Sequence, residues 1–344
     1  MSNHTSAYSW CAAALLAASG CASATEELLE LGTNRGNSPG VVEEALELAV
    51  PERGFQVQSA GVWIEPGDDV RMCEVIVLPG TSSALYHVNR IQAALSSRSE
   101  DLVVRAAALD SDTAAAMDRD ASLPCTRAGE AFGEELSDVL RSQDRYVDER
   151  FAAGAGKVLR GGQKLAVEYH VVNRAKEASL ARAKLAFHLV DASEVQHQVH
   201  TASFENFTIY TPPHGVSSHV GECRVKQDVF VSDLVRRTQL YGTTFKVWRA
   251  GGDHDGELLW ESAARQEDHF EISEPLHLQP GDGFRFQCDY ENRTARELRY
   301  GVSAADETCT LDAIYWLTDE SQEPVVESCL LFNVDSDGVA RPRW

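Results

Sequence analysis

The chain has 344 residues, 43% of them hydrophobic and 24% charged, and carries a formal net charge of −22. That length allows two domains of ordinary size, each burying its own core. The acidic balance disfavours a nucleic-acid partner, since a phosphate backbone needs a basic face, and beyond residue 21 no apolar run is long enough to span a bilayer.

Residues 1–21 read as an export leader. The apolar stretch Ala12–Ala18 is followed by ASGC, and the small residues before Cys21 resemble a bacterial lipoprotein signal in which that cysteine is lipidated. No Lys or Arg precedes the stretch, and cleavage after Ala24 would instead release a soluble protein. Both routes predict an exported protein, periplasmic or on the outer membrane or cell surface, touching membrane only through a lipid anchor. Residues 22–51 are acidic, with Gly36, Pro39 and Gly40, and read as a flexible tether in which Glu26–Leu31 and Val41–Val50 suit short helices.

From Gly54 the texture changes. GFQVQSAGVWIEPGDDVRMCEVIVLPG alternates apolar and polar residues between Gly and Pro breaks, which predicts strands, and Tyr86–Leu95 and Glu100–Leu109 continue the pattern. Residues 110–160 are less regular, with helical turns expected within Thr113–Asp118 and Gly129–Arg141. Lys164–Asn173 and Leu180–Ala192 close a first sheet system. FENFTIYTPPHG opens a second, in which VFVSDLVRR, TTFKVWRA, ELLWESA, GFRFQCDYEN and TLDAIYWLT follow at the spacing of a sandwich. The expectation is an all-β chain of two antiparallel, jelly-roll-like β-sandwiches packed side by side, over residues 52–196 and 197–335, with a tail at 336–344.

Cys11 and Cys21 belong to the leader. The remaining Cys73, Cys125, Cys223, Cys288, Cys309 and Cys329 are an even, scattered set without C-X-X-C spacing, which reads as disulfides in an oxidising compartment. Spacing alone leaves 15 connectivities open.

LVRRTQLYGTTFKVW (Leu234–Trp248), with LWES, PLHLQPGDGFRFQCDYEN and GVSAADETC downstream, resembles the copper type II, ascorbate-dependent monooxygenases. These include dopamine β-monooxygenase, peptidylglycine α-hydroxylating monooxygenase and bacterial relatives. The resemblance spans roughly residues 54–335 and implies two sandwiches, with the pairs Cys73–Cys125, Cys223–Cys329 and Cys288–Cys309. In that family His-X-His and the Met of S-X-D-E-M-C hold the oxygen-activating copper; the matching positions are Arg237, Gln239 and Thr308. An electron-transfer copper is held by two adjacent histidines, matched here by Glu100 and Asp101, and by a third in H-X-X-N, kept as His170. His87, in YHVNR, is read as structural.

Arg has no lone pair to offer a metal and stays protonated. Gln is a poor copper ligand, and Thr308 removes the thioether that stabilises Cu(I). Glu100, Asp101 and His170 would suit a harder ion if they converged, and Arg237 is expected to pair with Asp306 or Glu307. The sequence thus points to a non-catalytic binding or structural module with no cofactor, its ligand a protein, peptide or glycan. One alternative is an active copper- and ascorbate-dependent monooxygenase with a mononuclear or differently aligned site. Another is a glycan-binding or glycan-processing protein, since paired sandwiches also occur in a peptide:N-glycosidase. Asp306–Glu307 read as family motif rather than an acid/base pair, His188, His197 and His200 as solvated, and Asn292-Arg293-Thr294 as a formal glycosylation acceptor. No G-X-S-X-G elbow supports a hydrolase.

Overall fold

The structure, a computed structural model, describes residues 45–117, 122–125, 131–133, 136–263, 268–301, 303–324, 329–334 and 340–342. The leader with Cys21, the Ala24 cleavage position and Glu26–Leu31 lie outside the described residues.

The chain is all-β, as its alternation predicts. The first half contains β1 (Gly54–Gln58), β2 (Val62–Ile64), β3 (Asp69–Val77), β4 (Leu85–Leu95), β5 (Ser99–Ala107), the short helix α1 (Asp112–Ala116), β6 (Ser122–Pro124), β7 (Leu136–Ser142), β8 (Tyr146–Arg150), β9 (Ala155–Arg160), β10 (Lys164–Val172), β11 (Ser179–Ala181), β12 (Ala183–Leu189) and β13 (His197–Gln198). One sheet runs β1-β12-β4-β9-β13 with β8 also on β4; the other runs β6-β3-β10-β5-β7. The helical turn expected within Thr113–Asp118 is α1, capped by the Ser111 hydroxyl. Of the turns expected within Gly129–Arg141, Ala131 and Phe132 are helical, whereas Leu136–Ser142 is strand β7. LSDVLRS has apolar residues at helical spacing, but its backbone groups pair with β5 along one sheet edge.

The second half contains β14 (His200–Glu205), β15 (Tyr210–Thr211), β16 (Val216–Arg224), β17 (Val229–Thr238), β18 (Gly242–Ala250), β19 (Leu258–Ala263), β20 (His269–Leu278), β21 (Gly283–Glu291), β22 (Leu298–Arg299), β23 (Cys309–Leu317), β24 (Cys329–Val334) and β25 (Ala340–Pro342). Its sheets run β14-β23-β17-β20 and β19-β18-β21-β16-β24-β25. The Ala340–Pro342 part of the expected tail is therefore paired, on β24.

The two halves share one wiring. In chain order, the strands β1, β3, β4, β5, β7, β9, β10 and β12 fill the same sheet positions as β14, β16, β17, β18, β19, β20, β21 and β23. The two asparagines that close the seventh strand of each set match in detail. Asn173 Nδ2 donates to the carbonyls of Ile64 and Glu177, and its Oδ1 accepts from Ala175 N–H. Asn292 Nδ2 donates to Thr211, Pro212 and Arg296, and its Oδ1 accepts from Thr294 N–H. Asn292 is thus a buried corner and not a displayed glycosylation acceptor. The N-R dipeptide at 173–174 and 292–293 is the sequence trace of this repeat.

Each half has its own core. Leu165, Val167, Tyr169 and Val171 of β10 meet Ile91, Leu185 and Phe187 of the facing sheet in the first. In the second, Leu234 and Leu311 meet Phe245, Phe284 and Phe286. The disulfides are Cys73–Cys125, Cys223–Cys329 and Cys288–Cys309, the three pairs that the resemblance implies. The last joins β21 to β23, one from each sheet of the second half.

Strand β23 carries the junction. Cys309, Leu311, Ala313 and Leu317 enter the second core, while Ile314 and Trp316, on the opposite face, pack into the first. A bulge between Val231 and Asp233 rephases β17, so that Leu234 points into the second core and Asp233, Val235 and Arg237 share the junction face. Residues 45–51, read from sequence as the end of the tether, form no helix. Leu48 is buried against Ala94 and Ala186, and Gln56 Nε2 donates to the carbonyls of Leu48 and Ala49, 2.9 Å each.

Candidate functional site

Arg237 lies opposite Thr310 in register and reaches along β23 to Asp312, with Nε–Oδ2 at 2.8 Å and Nη2–Oδ1 at 3.4 Å. Burial opposes its charge, but Asp312 outweighs it and drives the guanidinium further above its ordinary range. This corrects the expected pairing with Asp306 or Glu307. Glu307 is already engaged, accepting from the backbone N–H groups of Gln239 at 2.9 Å and Tyr241 at 2.6 Å. Asp306 closes its own loop on Ser303 N and Oγ. The Gln239 amide donates to the Gly301 carbonyl at 3.3 Å, and the Thr308 carbonyl accepts from the Tyr290 hydroxyl at 2.6 Å.

In the first half, Asp101 and His170 are cross-strand partners on β5 and β10. They do not form a metal-ligand set with Glu100, which lies at the strand end, exposed, paired with Arg174 at 3.1 Å. Asp101 is clasped by Arg71 at 2.7 and 3.1 Å, and Arg71 also holds Glu168 at 2.8 Å. His170 Nε2 meets Asp69 Oδ1 at 2.6 Å, and Asp69 Oδ2 accepts from Ala304 N–H of the second half. Burial pushes the Asp101 carboxyl up, but Arg71, with smaller contributions from His170 and Arg237, brings it below the usual carboxylate range. The two sets of positions are therefore near enough across the junction to sense each other's charge.

These residues do not fit copper. Glu100 and Asp101 are each committed to an arginine, His170 is engaged by Asp69, and Arg237 is paired with Asp312. Among the described residues, no three His, Cys, Asp or Glu side chains are grouped to hold a metal ion.

A second charged cluster at the junction was invisible in the sequence. Glu149, Lys157, His200 and the pair His269–Asp233, 2.8 Å apart, come from five strands. Burial pushes the Glu149 carboxyl up to about 7 against the pull of Lys157. His200, expected to be solvated, is held down to about 4 by burial and by the Lys157 charge. His197 stacks on Trp316 with ring centroids 5.2 Å apart, and His188 bonds to Gln92 at 2.8 Å. His87 lies in β4, its Nδ1 buried without a hydrogen bond. No sequence motif marks Asp69, Asp312 or Lys157; strand register and burial alone bring them into play.

No known family profile matches the chain, and no curated protein matches it. Among solved structures it is similar to a point mutant of the Bacillus subtilis oxalate decarboxylase OxdC, at 8% identity over 83% of this chain and 76% of that one. The TM-score is 0.19, too low to carry an argument about fold or activity.

Proposed function

We propose that the chain is an exported relative of the copper type II, ascorbate-dependent monooxygenases that has lost oxygen activation and serves as a non-catalytic binding or structural module. The observation that carries this reading is the buried Arg237–Asp312 ion pair, which holds a guanidinium at one of the positions matched to the oxygen-activating ligands. A guanidinium there repels a cation and offers it no lone pair. The strand orders support the scaffold part of the reading. In each half, the first, eighth, third and sixth principal strands form one sheet and the second, seventh, fourth and fifth the other, as in a jelly roll.

On this reading the two sandwiches span 52–196 and 197–335, behind a leader and tether. The three disulfides favour an oxidising compartment. Lipidation at Cys21 would place the protein in the periplasm, at the outer membrane or on the cell surface. The test is copper content and ascorbate-driven oxygen uptake of the oxidised, purified protein. No stoichiometric copper and no uptake above that of free copper is the expected result. One tightly held equivalent with turnover would restore the monooxygenase reading.

A further inference from the structure

A cavity of about 420 Å³ opens where β7 and β9 of the first half face the run Gln198–Phe204 and Tyr315 of the second. Its wall is mixed, with Leu136, Val139, Leu159 and Phe204 forming an apolar side beside polar residues such as Ser137, Gln198 and Ser203. Lys157 also lines it, with only 4% of the residue exposed. Its ammonium donates to the Asp138 carbonyl at 3.1 Å and the Thr201 hydroxyl at 3.5 Å, both neutral acceptors. The Asp138 carboxylate is already taken, by Arg105 and Arg141 at 3.0 Å each. Burial draws the Lys157 pKa down, and the charges of Glu149 and Asp138 offset this only in part. A buried ammonium without a carboxylate in contact is costly, and a carboxylate placed against it recovers a charge-assisted hydrogen bond.

We infer that this cavity is a binding site for a small monocarboxylate with an apolar body, its carboxylate seated on Lys157 Nζ and Thr201 Oγ1. Among the described residues, no arginine and no second lysine lines the cavity. A singly charged acid therefore fits it better than a phosphate or a dicarboxylate. His200, also in the wall, is neutral near pH 7 and offers a hydrogen bond without adding charge. The volume is within the range of small-molecule sites. No residue of the cavity belongs to either copper-ligand set, so the inference stands or falls separately from the copper reading.

The experiment is titration calorimetry of the full chain with benzoate, 3-phenylpropanoate and 4-methylpentanoate, each beside its primary amide. At least one acid should bind one-to-one with a dissociation constant below about 1 mM, at least tenfold tighter than its amide. Lys157→Met, similar in length and uncharged, should lose tenfold or more of that affinity while keeping the wild-type circular dichroism. Ala202→Leu, which intrudes on the cavity and leaves Lys157 intact, should weaken the same acid and serves as the deciding variant if Lys157→Met does not fold. Equal binding of acid and amide, undiminished affinity in either folded variant, or no binding by any of the three acids would overturn the assignment.

Discussion

Arg237 and Asp312 meet by two contacts on the junction face of neighbouring strands, and Asp312 is 1% exposed. Once buried, the pair is held in place by the cost of separating it: removing one partner leaves a bare charge, whereas removing both leaves a space that apolar side chains fill. Arg237→Met or Asp312→Leu alone should therefore cost about 3–5 kcal/mol of unfolding free energy in urea titrations, and the double variant much less than the sum. Additive single losses would show that the two residues are not energetically coupled.

Glu149 gives the junction a pH dependence with a definite sign. Its carboxyl titrates at about 7 in the folded chain against an ordinary value of 4.5, so between those values the folded state holds a proton that the unfolded state has released. The stability associated with this group is complete below about 4.5 and is lost as pH rises through about 7. Glu149→Gln should therefore gain on wild type by up to about 3 kcal/mol between about pH 4.5 and 8 in denaturant titrations. His200 acts in the opposite direction. Its pKa of about 4 means that stability present above 6.5 is lost as pH falls toward 4, and His200→Gln should flatten the acid limb. A Glu149→Gln curve parallel to wild type would mean that the carboxyl is solvated.

Asn173 and Asn292 do the same work in different halves, so their losses should be independent. Each satisfies carbonyls that would otherwise be buried without a donor. Asn173→Ala and Asn292→Ala should each cost about 2–3 kcal/mol, and the double variant should lose the sum to within about 0.5 kcal/mol if unfolding remains two-state. Markedly less than additive loss would mean that the halves do not unfold as one unit.

Much of the fold was legible because strand patterning is local. In KLAVEYHVV, Leu165, Val167, Tyr169 and Val171 alternate with Ala166, Glu168 and His170, and that period alone separates the face in the main core from the other face of the strand. The junction was not legible, because it depends on register. His170 meets Asp69 only because β3 and β10 pair as they do, and Arg237 selects Asp312 over the acids in its own motif because Glu307 is occupied by backbone donors. The bulge in β17 left no recognisable mark in VFVSDLVRR, yet it decides that Asp233 faces His269 and not the core. Lys157 stands in no motif, and its burial follows from packing at the junction and not from any local pattern.

If the proposed kinship with the copper monooxygenases holds, three substitutions should supply the ligand set that it implies. Arg237→His, Gln239→His and Thr308→Met would place two imidazoles on the end of β17 and a thioether just before β23, where Thr238 and Cys309 are cross-strand partners. Two imidazoles and a thioether are a soft donor set suited to Cu(I). Losing Arg237 also strands Asp312, and an imidazole at that position supplies a hydrogen-bond donor in its place. The triple variant should bind one equivalent of Cu(I) under anaerobic, reducing conditions, while wild type binds none at the same concentration. Hydroxylation is not expected, because Glu100 and Asp101, which the resemblance matches to the electron-transfer ligands, remain paired with Arg174 and Arg71. X-ray absorption at the copper edge should show nitrogen and sulfur scatterers together. The double variant Arg237→His, Gln239→His, which keeps the native Thr308, should lack the sulfur shell alone. A folded triple variant that binds no copper would place the family alignment of this strand in error.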